Sequence, residues 1–300
     1  MNRKEAEDFV YKSYLKAQKF QTYEAKDREK RRNDLTYDLL RKESKNPCCI
    51  VTGSKGKGSV ANMVSQILQT KYTVGLMTSP HIVDFCERFQ INGEKISGED
   101  FAYYMSTIEE EIEAIDNMGI QAYMALKYFR SKKTDFNIFE CGKGAKYDDV
   151  NNIKHDYAII NTIFLEHTRE LGETLEEIAE DKAYVINGEQ KCVYVGQQEE
   201  SVLKVIKKRA ARYEVAVKVY GEDFWAENIC YTKEGMLFDV VIGKEKYENI
   251  LIPLLGEHQA RNCALDMALC VDVFDNEVKS FEVKRDREEE DFIEEKKLID

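Results

Sequence analysis

Nine consecutive residues, Val51-Thr52-Gly53-Ser54-Lys55-Gly56-Lys57-Gly58-Ser59, constrain this chain more than any other stretch. Before them, Cys48-Cys49-Ile50 is a short apolar run of the kind that forms a buried strand. After them, Val60, Ala61, Val64, Ile67 and Leu68 recur at helical spacing. Strand, glycine loop and helix in succession make a phosphate site. Glycines let main-chain N–H groups turn toward an anion at close range, and the helix N-terminus adds partial positive charge. On this reading residues Gly53, Ser54, Lys55, Gly56, Lys57, Gly58 and Ser59 surround a nucleotide, Lys57 reaches its terminal phosphates and the Ser59 hydroxyl faces Mg2+. The competing reading, a solvated Gly/Lys turn, is disfavoured by the strand and helix on either side.

Three hundred residues hold one large or two modest domains. A hydrophobic content of 43% beside 33% charged residues suits a soluble globular protein. No apolar run approaches the roughly 20 residues that cross a bilayer, so no membrane association is expected. Met1-Asn2-Arg3-Lys4-Glu5 has no apolar signal region behind it, which predicts a cytoplasmic protein. A net charge of −12 argues against sequence-independent binding of nucleic acid. ATP is anionic too, so its site must gather positive charge locally. The eight cysteines form no C-x-x-C pair and read as buried, reduced thiols.

Residues 1–46 are polar and helix-prone, with a sparse apolar stripe at Phe9, Val10, Tyr14, Ala17 and Phe20. The mixed charges at 26–32 read as a solvated helix face. From residue 47 strand and helix patterns alternate, with buried strands expected at 135–141, 157–163 and 191–195. Ser97-Gly98-Glu99-Asp100 and Thr174-Leu175-Glu176-Glu177 each read as a capping box that opens a helix. This order predicts an α/β fold, a P-loop NTPase-like, mostly parallel sheet flanked by helices. Strands expected at 228–232, 236–241 and 247–252 form a small antiparallel β addition, and a helix begins near His258. The division expected is an N-terminal helical segment at 1–46, an ATP-binding domain at 47–274 and a charged tail at 275–300.

The glycine loop is shorter than the common P-loop, because Gly53 and Gly56 are separated by two residues and Gly58 stands between Lys57 and Ser59. This form resembles the loop of the Mur ligase superfamily, and within it the folylpolyglutamate synthase/dihydrofolate synthase branch. Four further segments continue the resemblance in order along residues 47–272. They are Thr78-Ser79-Pro80-His81-Ile82 with Glu87-Arg88 and Ile91-Asn92-Gly93; Glu140-Cys141-Gly142 with Asp148 and Asn151; Glu166-His167-Thr168 with Leu171-Gly172; and Leu255-Gly256-Glu257-His258-Gln259 with Asn262.

The resemblance implies an ATP-dependent carboxylate–amine ligase that works through an acyl phosphate, with ATP and Mg2+ as cofactors. A folate-like carboxylate and an amino acid such as glutamate are the substrates it implies. Lys57, His167 and Lys182 take catalytic roles on this basis. Ser59, Glu140 and His167 hold magnesium, Ser79, Pro80 and His81 lie on the substrate side, and His258, Gln259 and Asn262 approach the base and ribose. Lys182 is either the family lysine that is carbamylated into an anionic ligand or a plain surface lysine. Lys55, Lys143, Ala145 and Glu166 depart from the usual residues. No counterpart of the family's C-terminal domain is recognised after Asn262, so a protein partner supplying it is expected. Two other classes remain open at this point: a nucleotide-binding regulatory or assembly module without ligase activity, and a stand-alone ATPase or phosphotransferase.

Overall fold

The computed structural model describes residues 1–19, 33–109 and 117–281; the charge run at 26–32 and the acidic stretch at 284–291 lie outside them. Its centre is β1 (Cys48–Thr52), every residue of which is buried. This is why Cys48-Cys49-Ile50-Val51 reads as a continuous apolar run: a strand inside a parallel sheet is covered on both faces. β1 pairs in parallel with β5 (Phe136–Glu140) on one side and β6 (Tyr157–Ile160) on the other. Beyond β5 lies β2 (Val74–Met77), and beyond β6 lie β7 (Cys192–Val195) and β8 (Ala216–Val219), all parallel. Two short antiparallel strands, β3 (Phe89–Ile91) and β4 (Glu94–Lys95), finish the edge next to β2. The eight-stranded order is β4-β3-β2-β5-β1-β6-β7-β8.

Successive strand residues feed opposite cores. Cys48 and Ile50 pack on one face with α1 (Arg3–Lys19), α2 (Tyr37–Glu43), α4 (Gly98–Ile108), α5 (Asn117–Ser131), α6 (Leu175–Lys182) and α7 (Glu200–Tyr213). Cys49 and Val51 pack on the other with α3 (Lys57–Leu68) and α8 (Glu257–Phe281). The same second core takes Phe238 and Val240 from a separate antiparallel sheet of β9 (Phe224–Tyr231), β10 (Met236–Ile242) and β11 (Glu245–Ile252). The fold expected from the sequence is therefore present, antiparallel addition included. Of the N-terminal stripe, Val10 is buried in the first core with Ala6, and Phe9 packs against it. α8 runs unbroken through position 274 to Phe281.

Local chemistry explains several element ends. Thr174 accepts from the Glu177 N–H while Glu177 reaches back to the Thr174 N–H, a complete capping box for α6. At α4 Ser97 caps Asp100. A further box, Asp84 with Glu87, fixes the short turn Phe85–Arg88. The cysteines are all free, and seven are buried as expected; Cys230 is the correction, lying exposed on β9. Among the described residues no helix is long and apolar enough to cross a membrane.

One core residue breaks the apolar pattern. Asp266 of α8 is fully buried and neither carboxylate oxygen has a hydrogen-bond partner. Burial pushes its carboxyl well above the usual range, and the thiols of Cys49, Cys263 and Cys270 lie within its field. A carboxyl raised on folding contributes its full stability below the unfolded value, near pH 4, and that stability is lost as pH rises. Asp266→Asn keeps the shape without the titration. Thermal melts are expected to show the variant more stable by more than about 1 kcal/mol at pH 7, with the difference closing toward pH 4. Equal pH profiles for the two proteins would refute the assignment.

Candidate functional site

The loop between β1 and α3 lies at the carboxyl ends of β1, β5 and β6, where open α/β sheets hold ligands. Gly53 and Gly56 take φ of 139° and 75°, a left-handed region that other residues avoid, and Gly56 caps α3. Lys57, the first residue of α3, folds back so that Nζ donates to the carbonyls of Gly53 (3.2 Å) and Ser54 (3.4 Å). The Ser54 hydroxyl bonds the segment after β6. It accepts from the Phe164 N–H (2.9 Å) and donates to the Phe164 carbonyl (3.3 Å), while the Ser54 N–H donates to Thr162 O. Ser54 thus braces two loops against each other. Lys55 is exposed and Ser59 is half-buried in the first turn of α3.

Glu140 ends β5 with 3% exposure. Its carboxylate accepts from the Ser79 N–H (2.8 Å) and faces Gly58, where an added Cβ would stand 3.6 Å from Oε2. Burial lifts the Glu140 carboxyl to about 7 against the opposing pull of the Ser79 amide and the charges of Lys57 and Arg88. A glycine at 58 therefore brings the start of α3 close to a desolvated carboxylate.

Lys182, at the end of α6, is completely buried beneath the loop, so of its two readings the plain surface lysine is overturned. Its Nζ donates to Gly53 O (2.8 Å) and Lys143 O (2.9 Å) and lies 3.2 Å from Glu166 Oε1. Burial lowers its pKa, Lys57 adds to the effect and Glu166 opposes it. His167 follows Glu166 in a left-handed backbone conformation (φ 46°), its Nε2 4.0 Å from Glu166 Oε2. Among the described residues no three His, Cys, Asp or Glu side chains gather as a metal cage.

On the other side of Glu140, His81 Nδ1 accepts from Arg88 Nε (2.9 Å), and Arg88 Nη1 donates to the buried Gln121 (2.9 Å). The Arg88 bond fixes His81 with an acceptor nitrogen inward. Ser79 meets Glu140 through its main chain, and Pro80 is exposed. At the start of α8, His258 is exposed and lies against Gly256. Asn262 is buried, accepts from Asn161 Nδ2 (3.1 Å) and donates to Gln259 Oε1 (3.2 Å). His155, matched to no motif, is a buried histidine bonded to the Ile153 and Val185 carbonyls.

Three participants were given no role from the sequence: Asn161 behind the loop, Arg88 behind His81, and Asp181. Asp181 Oδ1 accepts from the Ala145 N–H (2.8 Å) and shapes the segment after Glu140. Asn161 stands at the end of a parallel strand, and that position is the one clue the sequence held.

The Mur ligase middle domain family matches residues 51–270. The dihydrofolate synthase/folylpolyglutamate synthase of Bacillus subtilis is 33% identical over 227 residues, 72% of this chain and 53% of that protein. A probable folylpolyglutamate synthase of Schizosaccharomyces pombe is 30% identical over 243 residues, 75% of this chain and 44% of that one. The chain therefore spans about half the length of these curated relatives. In structure it resembles the apo form of L. casei FPGS, with a TM-score of 0.81 over 93% of this chain and 68% of that one at 23% identity. The FPGS-AMPPCP-folate complex superposes with a TM-score of 0.80 over the same shares at 24% identity. With the family model matched over most of this chain, and the strand-end glutamate and α8 asparagine both set against glycines of the loop, the chain belongs to the Mur ligase family through its middle domain, in the branch of the folylpolyglutamate and dihydrofolate synthases.

Proposed function

We propose that this chain binds Mg·ATP and carries the phosphoryl-transfer half of a carboxylate–amine ligase of the folylpolyglutamate synthase type. The observation that carries the reading is Glu140: a buried carboxylate at the end of β5, facing Gly58 and the N-terminus of α3, with a proton affinity raised by burial. Its environment suits a divalent cation, and Ser59, one residue beyond Gly58 in the first turn of α3, carries a hydroxyl that would complete such a site. Mg·ATP when bound supplies the γ-phosphoryl group and the divalent charge that neutralises it.

The chain's own residues prepare the cleft. The loop and the first turn of α3 present main-chain N–H groups to phosphate oxygens. Lys57 exchanges the Gly53 and Ser54 carbonyls for the terminal phosphates, an anionic partner in place of two weak acceptors. Lys182 holds Gly53 from beneath. His167, half-exposed beside Glu166, is the group we assign to a second cation. His81, oriented by Arg88, faces the carboxylate substrate; we propose a folate-like acid there and an amino acid such as glutamate as the amine. A further unit, carrying what the relatives have beyond the matched span, closes the cleft.

Calorimetric titration of Mg·ATP tests the nucleotide site. Lys57→Ala is expected to weaken binding by roughly tenfold or more, the worth of a charge-assisted hydrogen bond to phosphate. Equal affinities would remove the loop from the proposal.

A second expectation concerns pH. Protons compete with the cation at Glu140, so Mg·ATP affinity is expected to rise between pH 6 and pH 8, around the carboxyl's value of about 7. Glu140→Gln is expected to bind weakly with a flat profile over that range. An unchanged pH dependence in the variant would place the titration elsewhere.

A further inference from the structure

Asn161 lies one residue beyond β6, and nothing described above assigns it a role. It is 4% exposed, and each of its polar groups is paired. Its N–H donates to Thr52 O (2.9 Å), and its carbonyl accepts from Gln198 Nε2 (3.0 Å). In the side chain, Oδ1 accepts from the Thr162 N–H (2.8 Å), and Nδ2 donates to Lys55 O (3.1 Å) and Asn262 Oδ1 (3.1 Å). Three glycines from two segments, the phosphate loop and the end of β7, make room for it. A Cβ on Gly53 would stand 2.9 Å from Asn161 Cβ, one on Gly56 2.9 Å from Nδ2, and one on Gly196 2.8 Å from Oδ1. A side chain enclosed in this way has one rotamer and one neighbourhood.

Its orientation is dictated by groups of unambiguous polarity. The Lys55 carbonyl can only accept, so the amide NH2 of Asn161 must face it; the Thr162 N–H can only donate, so Oδ1 must face that. The consequences pass on to α8. Asn262 must turn its oxygen toward Asn161, which leaves its NH2 to donate to Gln259 Oε1. Gln259, half-buried in the first turn of α8, then has its oxygen occupied and its own NH2 at the end of the series. Three amides in a row therefore inherit their sense from the main chain of the phosphate loop.

We propose that Asn161 is a positioning residue that sets the hydrogen-bond polarity of the first turn of α8, so that Gln259 offers a donor to an acceptor atom on the nucleoside end of a bound nucleotide. The nucleotide part rests on the reading given under Proposed function; the polarity relay stands on the chain alone. A purine ring nitrogen or a ribose oxygen supplies such an acceptor. A ligand that presents only donors at that edge meets an NH2 group and is disfavoured. The phosphate end and the nucleoside end of the site are thereby set by one residue that touches neither.

Asn161→Asp is the informative substitution, because it keeps the shape and the acceptor for Thr162 while replacing NH2 with oxygen. Asn262 must then turn its NH2 toward residue 161, and Gln259 must donate inward and face outward with its oxygen. The first measurement is the side-chain amide NMR spectrum of the full chain without nucleotide, for the wild type, Asn161→Asp and Asn161→Ala. The NH2 resonances of Asn262 and Gln259 are expected to move in both variants. A Gln259 resonance unmoved in a folded variant overturns the relay; Asn161→Ala carries the test if the aspartate does not fold.

The second measurement is Mg·ATP affinity in a double-mutant cycle. Asn161→Asp and Gln259→Glu are each expected to weaken binding roughly tenfold, the effect of one lost hydrogen bond and one new repulsive contact. The double variant should be no weaker than the weaker single variant, since the donor at 259 is already lost. Losses that multiply in full would show two independent effects and refute the coupling. A wild-type chain that binds no Mg·ATP would overturn the nucleotide reading, while the amide spectra would still decide the relay.

Discussion

The rest of the site depends on how the carbonyls of the phosphate loop are satisfied. A loop that curls its N–H groups inward around an anion must turn carbonyls outward, and a buried carbonyl without a donor is costly. Here each outward carbonyl meets a donor carried by a different segment. Lys182 and Lys57 take Gly53 O, Lys57 takes Ser54 O, and Asn161 takes Lys55 O. The loop keeps its shape because α6, β6 and its own helix supply these donors. That requirement explains the burial of Lys182, whose ammonium would be destabilising in this position without the two carbonyls and Glu166 around it. It also explains why α6 begins at a full capping box: the start of the helix at Thr174 fixes where residue 182 falls.

The electrostatics follow from the same arrangement. In a chain of net charge −12 the cleft is a local reversal, with Lys57, Lys182 and Arg88 close enough to perturb buried neighbours. Glu166 compensates Lys182 alone, because their ion pair is beneath the loop. Lys57 is left with neutral carbonyl partners. A cation paired only with carbonyls can be transferred to phosphate at small cost, whereas one locked in a buried ion pair cannot. The two lysines therefore divide the work: one supports the loop and the other is available to a ligand.

The parts of this arrangement that the sequence disclosed are those coded within a few residues. The glycine loop, the strands around it and the helix after it were legible because periodicity and turn chemistry act locally. Thr174 with Glu177 was legible for the same reason. The bond from the Ser54 hydroxyl to Phe164, 110 positions away, could not be foreseen, since a loop hydroxyl carries no mark of the side it faces. Asn161 went unseen because its role is made by contacts with Lys55 and Asn262, 106 and 101 positions off along the chain. Arg88 sat inside a recognised segment, but its function as the partner of His81 and Gln121 appears only when the turn Phe85–Arg88 is folded. Cys230 escaped because the outer face of a strand in a small antiparallel sheet looks, residue by residue, like the inner one.

Two buried acids sharpen the distinction between a site and a tolerated defect. Glu140 and Asp266 are both desolvated and both raised by burial. Asp266 has no hydrogen-bond donor at its carboxylate and lies in an apolar core, so nothing there favours the charged form. Glu140 has an amide donor, two cationic side chains within its field and Gly58 of a helix N-terminus against its carboxylate. The surroundings of Glu140 oppose desolvation only in part, which holds its carboxyl near neutrality. A divalent cation adjacent to it would complete the compensation and secure the carboxylate form. Burial alone therefore does not identify a functional acid. Glu140 differs from Asp266 in that an amide and two cationic side chains compensate part of its burial.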